Sequence, residues 1–140
     1  MKIKLLLTGK TTDRHIRDGM KVYIDRIVHY MPFEVVEMNG DQILKNLRPG
    51  EWLVLLDERG EMPTSVEWAR NLEHKAAHLS KDLVFAVGGP YGFSEEVYER
   101  CNERLSLSKM TFSHQLVRLV FLEQLYRAMT IIKGEPYHHE

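Results

Sequence analysis

Four stretches hold the residues able to do chemistry. The first, Gly88-Gly89-Pro90-Tyr91-Gly92, follows an apolar run from Leu83 to Val87. Adjacent glycines after a buried strand let a ligand approach the backbone closely and leave N–H groups exposed to it. Neither GxGxxG nor a Walker lysine is present, and a tight strand-to-helix turn accounts for the glycines equally well. The second, Ser108-Lys109-Met110-Thr111-Phe112-Ser113, is rich in hydroxyls and precedes a long apolar helix. Ser113 suits a helix N-cap, which leaves the other five free to line a pocket. The third is His114 with Arg118, one helical turn apart on an apolar arc. A cation on such a face needs an anionic or hydrogen-bonding partner, so Arg118 is either paired internally or kept for a ligand. The fourth is the tail, Pro136-Tyr137-His138-His139-Glu140. Its two histidines have no third ligand at matching spacing, and no metal is expected.

Other chemistries find less support. His15, His29, His74 and His78 sit on amphipathic helices and are expected at the surface; His74 and His78 lack the acid of an HExxH site. Cys101 is read as a small, partly buried residue in mid-helix, without an activating pattern. Asp57 after the third strand and Lys109 after the fifth echo a phosphoacceptor receiver domain. That chemistry requires an acidic pair after the first strand to hold Mg²⁺, and Thr8-Gly9 stands there instead.

The elements that must position these residues alternate. Strands are expected at Lys2 to Leu7, Phe33 to Met38, Glu51 to Asp57, Leu83 to Val87 and Arg104 to Ser108. Helices are expected from Asp13 to Tyr30, Asp41 to Leu47, Ser65 to Leu79, after Ser94, and from His114 to Lys133. Short connections and near-continuous apolar strands argue an α/β fold with a mostly parallel sheet and helices on both faces. No repeat or linker interrupts it, so residues 1–140 form one domain. Ligands of such sheets sit beyond the carboxyl ends of the strands. That places Thr8-Gly9-Lys10, Leu56-Asp57-Glu58, Gly88 to Gly92 and Ser108 to Ser113 at the candidate site. The last helix is apolar nearly all round, with Leu116, Val120 and Ile131 opposite its main stripe, as suits burial by the sheet and by a second subunit.

With 140 residues, 44% hydrophobic and 28% charged, the chain has the composition of a soluble domain with a real core. A single cysteine fits a reducing, cytoplasmic setting, and no run approaches a membrane span. With a net charge of −1 a non-specific grip on nucleic acid is not predicted; an RNA partner would be met by shape, a local cluster or a larger assembly.

VGGPYG (Val87 to Gly92), LSLSKMTFSHQLVR (Leu105 to Arg118), EQLYRA (Glu123 to Ala128) and the closing PYHHE resemble the RlmH family, and Thr8-Gly9-Lys10 fits that family's first loop. These are bacterial large-subunit rRNA methyltransferases of the SPOUT class. The resemblance covers essentially the whole chain; the segment from Met38 to Arg48 is shorter than in many members. It implies a SPOUT α/β-knot with a C-terminal trefoil knot, which pattern reasoning alone would never propose. It also implies a homodimer, S-adenosyl-L-methionine as cofactor, and methylation of N3 of a pseudouridine in helix 69 of 23S rRNA on assembled ribosomes. By the same resemblance Leu55, Leu56, Gly88, Gly89 and the run Ser108, Lys109, Met110, Thr111, Phe112 and Ser113 form the cofactor pocket. Arg118 would hold developing charge or a phosphate, His138 take a proton or orient the base, and Tyr137 stack on it. A non-catalytic ribosome-associated module of the same fold is the alternative; the intact Ser108 to Ser113 loop, Arg118 and the tail speak against it.

Overall fold

The structure, a computed structural model, describes residues 1–139. It runs β1 (Ile3–Thr8), α1 (Arg14–Ile27), β2 (Phe33–Met38), a 3₁₀ turn (Leu44–Asn46), β3 (Trp52–Glu61), α2 (Ser65–His78), β4 (Leu83–Val87), α3 (Glu95–Arg100), β5 (Glu103–Leu105) and α4 (Leu116–Lys133). The five strands form one sheet, ordered β2-β1-β4-β3-β5, and every pairing is parallel. All five residues of β4 are buried, as a central strand covered on both faces requires.

Alternation along the strands sorts the core into two layers. Ile3, Leu5, Leu7, Leu83, Phe85 and Val87 pack beneath α1, α2 and α4, where Phe85, Trp68 and Phe121 meet ring against ring at 4.9–5.9 Å. Leu6, Leu53, Leu55, Val84 and Ala86 face the opposite way, onto Val97 of α3 and Ile43. Helices thus cover both faces, three on one and a single short one on the other. On α4, Phe121, Leu122, Leu125, Ala128 and Met129 are buried, whereas Leu116 on the far side is 40% exposed. None of the described helices is long and apolar enough to cross a membrane.

Local chemistry sets the boundaries. The Asp13 carboxylate caps α1 through the amides of His15 and Ile16, a Thr64–Glu67 capping box opens α2, and left-handed Gly134 (φ 72°) closes α4. Three expectations need correction. The segment from Asp41 to Leu47 makes only a 3₁₀ turn, because Ile43 is its one buried anchor and the Asn46 side chain bonds back to the Gln42 carbonyl. Cys101 lies past the end of α3 in an extended conformation, its thiol donating to the Tyr98 carbonyl. Strand β5 stops at Leu105, and β3 continues to Glu61 through an irregularity: Leu56 and Glu61 both stand opposite Leu105. Residues 57–60 are therefore looped out of the ladder, a large bulge that re-aims side chains at the sheet's edge.

Candidate active site

Beyond the carboxyl ends of β3, β4 and β5 lies a cavity of about 630 Å³, a size suited to a cofactor or drug-sized ligand. Three loops and the start of α4 wall it.

The bulge supplies the first wall with Asp57, Glu58 and Arg59. It closes tightly because Gly60 has no side chain: a Cβ there would lie 2.5 Å from the Arg104 carbonyl carbon and 2.7 Å from the Leu105 nitrogen. Asp57 accepts hydrogen bonds from the Arg59 amide at 2.9 Å and the Tyr98 hydroxyl at 2.7 Å. Burial opposes ionisation of Asp57, but these two bonds and the charges of Arg59 and Arg104 outweigh it and hold the carboxyl below its usual range. A depressed carboxyl stabilises the fold above its unfolded pKa and stops doing so as pH falls through its folded value. Asp57→Asn is therefore expected to be less stable than the parent at pH 7. The gap should narrow as pH falls towards 2, as urea melts at the two pH values would read. A gap of constant size would show that ionisation contributes nothing.

The second wall is the glycine loop. A Cβ on Gly88 would stand 3.0 Å from the Gly92 carbonyl oxygen, and one on Gly89 would sit 3.4 Å from Thr8 Cγ2. Gly92, at φ 75°, turns the chain so that its amide donates to the Gly89 carbonyl at 3.1 Å. A side chain at position 88 would run into the loop's own backbone at Gly92 and into the Phe93 ring.

The third wall is the segment from Ser106 to Ser113, followed by His114 and Val117. Ser106 Oγ donates to the Ser108 carbonyl, the Met110 amide to Ser108 Oγ, and Thr111 Oγ1 to Glu58, which ties this wall to the bulge. Ser113 Oγ accepts from the Leu116 amide at 3.0 Å, but the N-cap position of α4 falls to Gln115, whose side chain makes no capping bond.

Of the ten residues expected at a cofactor pocket, Leu56, Gly88, Gly89, Ser108, Met110, Thr111, Phe112 and Ser113 line the cavity. Leu55 does not, because strand alternation turns it to the other face of the sheet, where it is fully buried in the layer under α3. Lys109 is exposed and outside the lining. Sequence reasoning missed Tyr98, which lines the cavity from α3; its hydrogen-bond partner Asp57 is 41 residues upstream, and no local pattern connects the two.

Arg118 takes the internal pairing and not a contact with the cavity. It is fully buried and donates four hydrogen bonds, to the carbonyls of His114, Gly9 and Thr8 and to Thr11 Oγ1, at 2.8–3.0 Å. Glu37, at 3.7 Å, also accepts from the Thr11 amide. Burial lowers the Arg118 pKa and Glu37 opposes that shift. Beside it, Gln115 accepts from the Thr12 amide and donates to the Lys10 carbonyl. The guanidinium and this amide together clamp the loop after β1 to the start of α4.

The tail packs along the other half of α4. The Tyr137 ring meets Tyr126 edge-on at 4.7 Å, lies under the Arg127 guanidinium at 4.9 Å, and its hydroxyl donates to Glu123 at 3.3 Å. His138 Nδ1 is 2.9 Å from Arg127 Nη1; an arginine only donates, so Nδ1 accepts. Arg127 follows Val117 by ten helical residues, about 15 Å at the helix rise. One chain does not bring its own Tyr137 and His138 to its cavity.

The sequence profile of a family described as "Predicted SPOUT methyltransferase" matches residues 1–138. The chain is 49% identical to the "Ribosomal RNA large subunit methyltransferase H" of Parabacteroides distasonis, over all of both chains. That alignment runs over 157 positions, so the relative carries insertions that these 140 residues lack. Among solved structures, a "probable methylase family protein" of Haemophilus influenzae Rd KW20 superposes with a TM-score of 0.56 at 11% identity, over 99% of this chain and 70% of that one. A Legionella pneumophila protein solved in complex with the bound cofactor SAM gives 0.52 at 13% identity, over 91% and 66%. At such identities the two structures speak for the fold.

Proposed function

The chain belongs to the SPOUT methyltransferase family, and from that premise we propose that it methylates large-subunit ribosomal RNA. The single observation that carries the substrate is the full-length match at 49% identity to an rRNA methyltransferase. S-adenosyl-L-methionine is the cofactor of this family of enzymes, and it supplies an electrophilic methyl group on a sulfonium. The cavity fits it. Two glycines stand where a Cβ would crowd the wall, Leu56 and Phe112 offer apolar surface, and the carboxylates of Asp57 and Glu58 complement a cationic ligand. No metal is part of this proposal; among the described residues no group of three or more metal-ligating side chains occurs.

The finer reading is that the acceptor is N3 of the helix 69 pseudouridine in 23S rRNA, met on the assembled ribosome in the cytoplasm. A chain of net charge −1 suits a substrate whose large assembled surface does the orienting. The proposal includes a homodimer and a C-terminal trefoil knot. The partly exposed apolar side of α4 supports the dimer. So does the tail, which lies about 15 Å along α4 from its own cavity and would serve the partner's. There Tyr137 stacks on the base and His138 takes up or orients the imide proton, which N3 must lose to become a nucleophile. Holding cofactor and base in line at about 3 Å then supplies most of the acceleration. Arg118 serves by fixing the loop after β1.

Deleting residues 137–140 is expected to cut methyl transfer at least a hundredfold while changing S-adenosylmethionine affinity less than threefold, read by single-turnover assay and calorimetry. Equal loss of both would remove the division of labour between tail and cavity.

A further inference from the structure

We propose that Tyr91, on the glycine loop of the cavity, and Lys10, on the neighbouring loop after β1, grip a single-stranded stretch of the RNA substrate, the tyrosine stacking on an unpaired base and the lysine meeting a backbone phosphate. The inference rests on the reading of the chain as an rRNA methyltransferase.

Tyr91 is 100% exposed, whereas the other five tyrosines are all half-buried. Its ring has no hydrogen bond or aromatic partner among the described residues, yet its backbone is fixed. The Gly89–Gly92 bridge closes the turn on either side of it. A rigid aromatic held wholly in water is a ready platform for a base, since stacking needs a preset ring face and tolerates any base.

Lys10 shows the same combination. It is exposed, and its ammonium has no ion pair among the described residues. The backbone around it is pinned at every residue from Thr8 to Thr12. Arg118 holds the carbonyls of Thr8 and Gly9 and the Thr11 hydroxyl, Gln115 holds the Lys10 carbonyl and the Thr12 amide, and Glu37 holds the Thr11 amide. Three hydrogen bonds from a buried arginine fix a surface loop whose exposed side chains are Lys10 and Thr12.

The two loops emerge side by side. Leu7 pairs with Val87 at the ends of β1 and β4, and Gly89 faces Thr8 directly. Arg14 and Arg17 follow Lys10 within seven residues, while the intervening Asp13 carboxylate is occupied by the α1 amides. Over residues 10–18 three cations face two carboxylates, with Arg14 4.0 Å from Asp18, which leaves a slight local excess of the charge a phosphate backbone requires. Unpaired RNA presents both surfaces together, a splayed base and a phosphate one nucleotide away.

The test is steady-state methylation of ribosomes by Tyr91→Ala, Tyr91→Phe and Lys10→Ala. Tyr91→Ala is expected to raise the KM for ribosomes about tenfold, with Tyr91→Phe close to the parent. Lys10→Ala should raise KM and flatten the slope of log KM against log salt by roughly 0.7, the share of one phosphate contact on a single strand. Lys10→Ala should keep kcat and calorimetric affinity for S-adenosylmethionine within about twofold, and the Tyr91 variants, whose residue lines the cavity, are assayed at saturating S-adenosylmethionine. An unchanged KM in Tyr91→Ala, or an unchanged salt slope in Lys10→Ala, would overturn the grip while the methyltransferase reading stands. A Tyr91→Ala chain that sediments as a smaller species than the parent would make the tyrosine a contact between copies instead. A parent chain that neither methylates ribosomes nor pellets with them would overturn the underlying reading, and the grip with it.

Discussion

Gly60→Ala is expected to cost about 3 kcal/mol and to abolish binding of S-adenosylmethionine, although it adds a single methyl group. The new Cβ would lie 2.5–2.7 Å from the carbonyl carbon, carbonyl oxygen and following nitrogen of Arg104–Leu105. All three atoms are backbone, so no rotamer change relieves the contact. Either β5 leaves the sheet edge or the bulge opens. Both movements dismantle the cavity, because Asp57, Glu58 and Arg59 hang from the bulge and Ser106 continues from β5. Ser106 is tied back by its amide bond to the Glu61 carbonyl at 2.7 Å, which would break as well. For a chain of this length the loss amounts to a fall of about 10 °C in melting temperature. A variant that melts within 2 °C of the parent and binds the cofactor normally would show that the bulge is not held as described.

Arg118→Met carries the second large effect, a loss of about 3–5 kcal/mol. Methionine keeps most of the volume but leaves the carbonyls of Thr8, Gly9 and His114 and the Thr11 hydroxyl without their donors, with Glu37 beside them. Arg118→Lys should fall between, since one ammonium cannot span four acceptors. Methyl transfer should fall in step with the freed β1 loop in both variants, and equilibrium urea unfolding measures the cost. A variant with the parent's stability and no turnover would reassign Arg118 to direct contact with substrate.

The order and type of the main elements were legible because each strand is bounded by turn residues and each long helix by a cap. Phe33–Met38 and Leu83–Val87 stand where the sequence places them, and α2 begins at Ser65 as expected. The cavity loops were legible for a related reason: a parallel sheet puts its ligand at the strands' carboxyl ends, which locates Gly88-Gly89 and Ser108 to Ser113 once the strands are known.

What stayed hidden depends on contacts between distant residues. The four-residue bulge appears only when β3 is paired with β5, and Gly60 in the sequence is one glycine among nine. The two fates of Arg118 could not be separated by periodicity, since the acceptors that decide it lie more than a hundred residues upstream in the loop after β1. Leu55 and Leu56 look alike in a run of apolar residues, and only the facing of β3 sends one to the core and the other to the cavity. The tail's polar, aromatic composition suggested chemistry but gave no hint that Tyr126, Arg127 and Glu123 would hold it against α4.

The central claim is that the cavity at the carboxyl ends of β3, β4 and β5 directs a methyl group to large-subunit rRNA. Ribosomes lacking the helix 69 methylation, incubated with the purified chain and isotope-labelled S-adenosylmethionine, test it most directly by mass spectrometry of digested 23S rRNA. The account predicts one labelled methyl on N3 of the helix 69 pseudouridine, absent with the Gly60→Ala variant. A chain that binds the cofactor yet leaves every 23S nucleotide unlabelled would contradict it.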